Sequence, residues 1–178
     1  MSTEEKWNPS AFVDSVIRRL DHTKSQKPDS AFQAVMRRAD NPNQSSCAWE
    51  YLIPFCNIAN ERERLAFALV GAAIAREKPQ HDGSVSIGTA LCMICKGDSE
   101  AMERESRRLR RLIACDSTIE LIPVLRPVLQ YIQSKAVAPV SYERLLLDLL
   151  YWNEKTKISW AKDFYNKDDS EEESPEEN

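Results

Sequence analysis

Apolar residues recur at intervals of three and four positions along most of this chain, which is the spacing of one face of an α-helix. In the first such stretch, Phe12, Val16 and Leu20 fall on one face. Runs of β-branched residues are short and the chain has only 4 glycines, so a sheet is not favoured. The pattern predicts helical segments over residues 9–20, 29–39, 48–55, 61–76, 86–96, 99–116, 116–133, 142–152 and 153–165. We therefore expect an all-α fold, a bundle of about eight or nine helices.

Short polar signals mark where several of these helices begin. Asn8 followed by Pro9 is typical of an N-cap and a first helical position, and Ser141 is placed to cap the helix that follows it. Asn60 with Glu63 three residues later has the spacing of a capping box. These signals predict defined helix starts after the connecting loops.

The most apolar segments indicate where the core lies. Residues 61–76 contain LAFALVGAAIA, which is apolar on nearly every side and predicts the most buried helix. Pro123 and Pro127 interrupt segment 116–133, where we expect a short helical turn and then a helix from about Pro123, kinked or restarted near Pro127. In the segment before the buried helix, four residues are expected in the core: Trp49, Leu52, Ile53 and Phe55.

Segment 99–116 combines an apolar face with a row of arginines, which we call the arginine ridge. The ridge residues follow the spacing i, i+3, i+4, i+7 and share one helix face: Arg104, Arg107, Arg108 and Arg111. Met102, Leu109, Leu112 and Ile113 gather on another face. The alternative interpretation is a solvated surface, in which Glu100 pairs with Arg104 and Glu103 with Arg107.

Charge is distributed unevenly along the chain, whose net charge is −4. Residues 167–178 contain seven acidic residues and one lysine, so they carry −6 and residues 1–166 carry +2. We expect this acidic tail (residues 167–178) to be disordered. Basic residues also end the second helix, at Arg37 and Arg38, and project from the last helix, at Lys155, Lys157 and Lys162. An anionic partner is compatible with this pattern, and so is simple solubilisation.

Candidate catalytic and metal-binding residues are sparse. The chain has five cysteines and two histidines, and no Gly-rich phosphate loop, HExxH or GxSxG occurs. Cys92 and Cys95 form a CxxC pair, but a structural zinc site needs four ligands and no second pair exists. We therefore expect reduced, buried thiols in a cytoplasmic protein, no metal or cofactor, and no catalytic activity. A zinc or redox protein built on Cys92 and Cys95 remains the competing interpretation.

Several segments, in their order and spacing, resemble the small subunit of the type I-E CRISPR surveillance complex, Cascade (the CasB family). The resemblance covers roughly residues 10–166 and contains no single sharp motif. The matching segments are SAFQAVMRRA (30–39), AWEYLIPF (48–55), SIGTALCMI (86–94), SRRLRRLIACD (106–116), IELIPVLRPVLQYI (119–132) and YERLLLDLLYWNEKTKISWAKDFY (142–165).

The resemblance implies a two-lobed helical subunit without catalytic activity. The lobes are expected at residues 1–97 and 98–166. Two copies would lie against the backbone subunits that carry the guide RNA, in contact with the large subunit. The pair would help to hold the R-loop open, and its basic surface would guide the displaced strand of the target DNA.

The resemblance also implies which residues bind nucleic acid. Arg37 and Arg38 match paired arginines after the second helix, Arg107 and Arg108 match the pair that opens the basic helix, and Lys155 and Lys157 match basic positions after a tryptophan-bearing helix. Arg110 stands where some members have an aromatic residue, so we expect its stem to pack. The full predicted set is Arg37, Arg38, Arg104, Arg107, Arg108, Arg111, Arg126, Lys155 and Lys157.

Two further interpretations remain open at this stage. In the first, the chain is a purely structural protein–protein interaction module whose arginines meet acidic protein surfaces. In the second, it is a helix-turn-helix regulator, although the arginine-rich helix lacks the Asn and Gln base readers expected at its start.

Overall fold

The computed structural model describes residues 7–21 and 29–166, and in these ranges the chain is helical as the sequence predicts. A single isolated bridge, between Val85 and Val140, is the only strand-like pairing among the described residues. A short 3-10 turn, Ser45–Ala48, precedes the third helix. The helices are α1 (Pro9–Leu20), α2 (Ser30–Met36), α3 (Trp49–Leu52), α4 (Glu61–Glu77), α5 (Ile87–Cys95), α6 (Ser99–Ile113), α7 (Thr118–Lys135), α8 (Tyr142–Leu150) and α9 (Glu154–Tyr165).

The predicted caps form, with one difference in the capping box. Asn8 Oδ1 accepts a hydrogen bond from the Ala11 amide at 2.9 Å, and Asn60 Oδ1 accepts from the Glu63 amide at 3.3 Å. The Glu63 carboxylate does not return to Asn60, as the box pattern implies, but accepts from the Asn57 amide at 2.9 Å. Glu63 therefore fixes the loop before α4 rather than the first residue of its cap.

Helix α4 is the most buried helix, which confirms the prediction from its apolar run. Every residue from 66 to 75 is buried, and α4 packs against α1, α2, α7 and α8. A Cβ atom added to Gly71 would lie 2.6 Å from Met36 Sδ. The lack of a side chain at Gly71 is therefore what allows α2 to approach so closely.

Helix α7 runs unbroken through both prolines, so the predicted interruption is wrong. Pro123 and Pro127 are both exposed on the outer side of the helix, while Leu121, Leu125 and Leu129 on its inner side are buried. Proline removes one donor at each position, but water can satisfy the carbonyl oxygens left free on the outer side. Burial of the inner leucines outweighs the local preference against helix.

Two expected core residues are instead at the surface. The side chain of Ile53 is 62% exposed and that of Trp49 is 39% exposed, whereas Leu52 is fully buried. The reason is that α3 lasts only four residues before the chain turns, so a single position of this segment reaches the interior.

The buried apolar residues of the described chain form one continuous cluster with members from both predicted lobes. Helix α5 packs on α9, and α4 packs on α7 and α8. The lobe boundary between residues 97 and 98 stays a prediction. The acidic tail lies outside the described residues. Within the described ranges, none of the helices combines the length and the apolar composition needed to cross a bilayer.

Candidate nucleic-acid interface

Helix α6 holds the arginine ridge at the surface by burying its opposite side. Its N-cap, Asp98, accepts a hydrogen bond from the Glu100 amide at 3.1 Å. Ala101, Leu109 and Leu112 are buried, and Met102 and Ile113 pack against the core at its edge. Cations in the last turn, at Arg110 and Arg111, suit the negative end of the helix dipole.

A buried carboxylate, Glu105, lies beneath the ridge and holds two of its arginines. Glu105 Oε1 accepts hydrogen bonds from Arg108 Nη1 at 2.7 Å and from the Tyr131 hydroxyl at 2.9 Å. Arg104 Nε lies 3.5 Å from the same oxygen, in place of the predicted pair with Glu100. The Glu105 side chain has no exposed surface, so Arg104 and Arg108 are partly neutralised from below.

Tyr131 on α7 completes this cluster from the neighbouring helix. The Arg108 guanidinium carbon lies 4.1 Å from the centre of the Tyr131 ring, which is a cation–π contact. Burial, together with the hydrogen bond to the Glu105 carboxylate, raises the pKa of the Tyr131 hydroxyl. Tyr131 is therefore neutral at physiological pH and acts as a hydrogen-bond donor that orients Glu105.

The outer residues of α6 are freer than the inner ones. Arg107 Nη2 lies 2.8 Å from Glu103 Oε1, and both side chains are about two-thirds exposed, at 67% and 70%. Such a surface pair contributes only about 0.3–0.5 kcal/mol and can be exchanged for another anion. Among the residues that the structure describes, no carboxylate pairs with Arg110 or Arg111, and both are exposed. The prediction that the Arg110 stem packs is therefore wrong.

A groove between α6 and α7 adjoins these arginines. It encloses about 370 Å³, and one side is formed by Arg108 and Arg111. The α7 side consists of Pro123, Val124, Pro127, Val128 and Tyr131. The groove thus offers guanidinium groups next to an apolar and aromatic wall, an arrangement suited to a phosphate backbone with its sugars and bases.

Arg126, also on α7, belongs to a different cluster. Arg126 Nε lies 3.2 Å and Arg76 Nη2 lies 2.9 Å from Asp40 Oδ2, whose side chain is fully buried. These distances are those of ion pairs, but none of the contacts has hydrogen-bond alignment. The cluster lines a separate cavity of about 610 Å³ between α4, α7 and the loop after α2. Arg126 therefore ties α7 to Asp40 rather than extending the ridge.

The remaining predicted residues divide into free and engaged ones. Arg37 and Arg38 are exposed in the turn after α2, and Lys155 is exposed at the start of α9. The Lys157 side chain is only 18% exposed, and its Nζ lies 3.7 Å from Asp116 Oδ1 and 5.9 Å from the centre of the Trp152 ring. Lys157 does not project as predicted, because it covers the junction between α6 and α9.

Sequence reasoning missed Glu105 and Tyr131, the two residues that separate the held arginines from the free ones. For Glu105 a signal exists, since its helix position falls between Ala101 and Leu109 on the buried side. For Tyr131 no local signal exists, because it reaches α6 from 26 residues away.

The cysteines have the properties of buried, unreactive thiols. Burial raises the pKa of the Cys95 thiol to about 11 and that of Cys56 to about 12. Cys95 Sγ donates to the carbonyl oxygen of Leu91 within α5. Among the described residues, no three His, Cys, Asp or Glu side chains converge as metal ligands. Neither thiol of the CxxC pair is thus poised as a thiolate nucleophile on this geometry.

Comparison with known proteins identifies the family. No curated protein matches the chain. Three crystal structures share its fold: TTHB189, a CRISPR-associated protein of the Cse2 family from Thermus thermophilus, with 23% identity and a TM-score of 0.65 over 89% of this chain and 98% of that one; CasB from Thermus thermophilus, with 23% identity and 0.63 over the same shares; and M. ruber CasB, with 21% identity and 0.60 over 86% and 92%. The family described as CRISPR-associated protein Cse2 matches residues 33–165. The predicted resemblance is thereby confirmed, and the chain belongs to the Cse2 family of CRISPR-associated proteins.

Proposed function

We propose that this protein is a non-catalytic structural subunit of the CRISPR RNA-guided surveillance complex, Cascade. Two copies would contact the backbone and large subunits, near the guide RNA. Their basic surface would bind the displaced strand of the target DNA without sequence specificity and so stabilise the R-loop in antiviral defence. The observation that carries the proposal is the exposed pair Arg110 and Arg111, without a carboxylate partner among the described residues, beside the α6–α7 groove of a Cse2 family member.

The chemistry of the groove favours this ligand. Arginine donates paired, charge-assisted hydrogen bonds that match phosphate oxygens. Each phosphate neutralised releases counterions, so affinity should fall steeply as salt rises. R-loop formation exchanges one duplex for another of similar stability, and a small protein contribution can therefore tip the balance. The guide supplies the sequence reading, and the protein supplies only the backbone contact.

The geometry orders the candidate residues by role. Arg107, Arg110 and Arg111 have the freedom to contact phosphate directly. Arg104 and Arg108 would act mainly by positioning, because Glu105 holds both of them. Arg37, Arg38 and Lys155 form separate exposed candidates for RNA, DNA or neighbouring subunits. Arg126 and Lys157 would contribute to the fold and only indirectly to binding.

The test compares two arginines of equal charge in the assembled complex. Complexes are reconstituted with guide RNA and wild-type protein, Arg111→Gln or the control Arg18→Gln, which alters an exposed arginine on α1. R-loop formation is followed by chemical footprinting of unpaired bases in the displaced strand. We expect Arg111→Gln to weaken R-loop formation about three- to tenfold and to lower its salt dependence, since one phosphate contact is lost. Arg18→Gln should match wild type.

Two other outcomes contradict the proposal in different ways. If Arg111→Gln enters the complex and forms R-loops like wild type, the α6–α7 groove does not bind the displaced strand. If Arg111→Gln fails to enter the complex although it folds normally, the arginines contact protein. The chain is then an interaction module without nucleic-acid contact.

A further inference from the structure

We propose that the acidic tail, residues 167–178, binds the free arginines of α6 in the isolated protein and competes there with nucleic acid. This inference rests on the proposed function, because it concerns the regulation of the same surface. The occupant is a segment of this chain outside the described residues. The arguments are where that segment starts, how far it reaches and how its charge matches the surface.

The tail starts beside α6. The chain end at Asn166 is fixed to α9, because its amide donates to the Lys162 carbonyl oxygen at 2.8 Å. One residue earlier, the Tyr165 hydroxyl lies 2.6 Å from Ser106 Oγ on α6. Arg110 follows Ser106 by four residues and lies one helical turn along the same side of α6. The first tail residue is therefore tethered close to Arg110.

The tail is long enough to reach the whole free surface. Twelve residues span up to about 40 Å when extended, whereas an α-helix with its side chains is only about 10–12 Å wide. A tether of this kind also gives a millimolar effective concentration, so individually small contacts are populated. No part of the α6–α7 groove is beyond the reach of the tail.

Charge on the two partners is complementary. The tail has seven carboxylates against one lysine, while Arg110 and Arg111 have no carboxylate partner in the part of the chain that the structure describes. Arg107 can exchange Glu103 for a tail carboxylate at little cost, since both members of that pair are exposed. The Arg104 and Arg108 sites are less available, because Glu105 occupies them from inside. The tail would thus cover the arginines that we assign to phosphate contact.

The contact itself is tested without nucleic acid. A tail-neutral variant keeps the full length and changes only charge: Asp168→Asn, Asp169→Asn, Glu171→Gln, Glu172→Gln, Glu173→Gln, Glu176→Gln and Glu177→Gln. In ¹⁵N-labelled full-length protein at low salt, the amide and guanidinium signals of Arg107, Arg110 and Arg111 should differ between wild type and this variant. Signals of Arg37 and Arg38 should not. Identical spectra at Arg107, Arg110 and Arg111 would overturn the inference, whatever the protein does with DNA.

Competition is tested by a double-mutant cycle with a single-stranded DNA of about 30 nucleotides. At low salt the tail-neutral variant should bind about tenfold more tightly than wild type, and the difference should shrink as salt screens the tail. In the background Arg110→Gln/Arg111→Gln, tail neutralisation should have a smaller effect than in the matched background Arg37→Gln/Arg38→Gln. Equal effects in both backgrounds would mean that net charge alone acts, which overturns the inference.

Failure of this inference and failure of the proposed function look different. If wild type and tail-neutral variant bind the DNA equally well, the tail does not compete and the proposed function stands. If neither binds at low salt while the arginine signals still respond to the tail, the tail contact stands and nucleic-acid binding by this surface does not.

Discussion

Glu105 decides how the arginines of α6 divide their work. A fully buried carboxylate is costly unless charges and donors surround it, and here Arg104, Arg108 and Tyr131 supply them. The same contacts withdraw two arginines from solvent and leave Arg107, Arg110 and Arg111 outside. One acidic residue inside a basic helix therefore fixes which cations are available to a phosphate backbone.

Replacing Glu105 should expose the cost of this arrangement. Glu105→Gln removes the charge that holds Arg108 at 2.7 Å, and we expect the free energy of unfolding to fall by about 1–3 kcal/mol. The measurement is urea denaturation followed by circular dichroism. Glu103→Gln is the matched control, because its pair with Arg107 is exposed and its effect should stay within about 0.5 kcal/mol. Equal effects of the two changes would show that Glu105 is not a structural anchor.

Which basic residues are free could be predicted only in part at this scale. Helical spacing alone places the ridge on one face, and the structure agrees for α6. The partners of Lys157 and Arg126, however, are Asp116 and Asp40, which lie 41 and 86 residues earlier in the chain. No local pattern contains that information, because such pairs depend on how helices pack. The sequence therefore over-counted the available cations.

At the scale of elements, local signals predicted helix starts better than helix interruptions. The caps at Asn8, Asn60 and Ser141 form because a side-chain oxygen and the amide it binds are only three residues apart. The prolines of α7 misled for the opposite reason. Their effect depends on whether the affected carbonyls face water, and only the packed fold determines this.

Removing a proline from α7 should therefore stabilise the protein. Pro127→Ala restores a helical donor at an exposed position, and after the loss of proline's rigidity in the unfolded chain we expect a gain of about 1 kcal/mol. Pro9→Ala is the control of opposite sign, because Pro9 is buried at the first position of α1. Urea denaturation of both variants measures the difference. Destabilisation by Pro127→Ala would show that the ring packing in the groove outweighs the helix.

The contact between α5 and α9 depends on one missing side chain. A Cβ atom added to Gly88 would lie 2.2 Å from the Trp160 carbonyl oxygen, which is backbone and cannot move aside by itself. We expect Gly88→Ala to cost about 3 kcal/mol or more, since two helices must separate. Gly71→Ala is the comparison, because its close neighbour is the flexible Met36 side chain and the gain in helix propensity offsets part of the strain. Thermal denaturation should rank Gly88→Ala as the more damaging change.

Across the whole molecule, the core holds groups that keep their protons more tightly when folded. Burial raises the pKa of Cys56 to about 12 and of Cys95 to about 11, from 9.0 for an exposed thiol. Burial first, and then the neighbouring Glu77, raise the pKa of Tyr142. The sequence indicates the helical pattern and the buried character of α4, but not these shifts, because each depends on neighbours brought in by packing.

These shifts predict the dependence of stability on alkaline pH. Above about pH 9 the unfolded chain releases thiol protons that the folded protein retains, so the free energy of unfolding should fall continuously as pH rises toward 12. One fully titrating group contributes up to about 1.4 kcal/mol per pH unit, and we expect a loss of roughly 1–3 kcal/mol between about pH 8 and 10.5. Urea denaturation under reducing conditions measures it, and Cys56→Ala should flatten the slope whereas the exposed Cys47→Ala should not. A stability that is constant or rises over this range would mean that the Cys56 thiol reaches solvent in the folded protein.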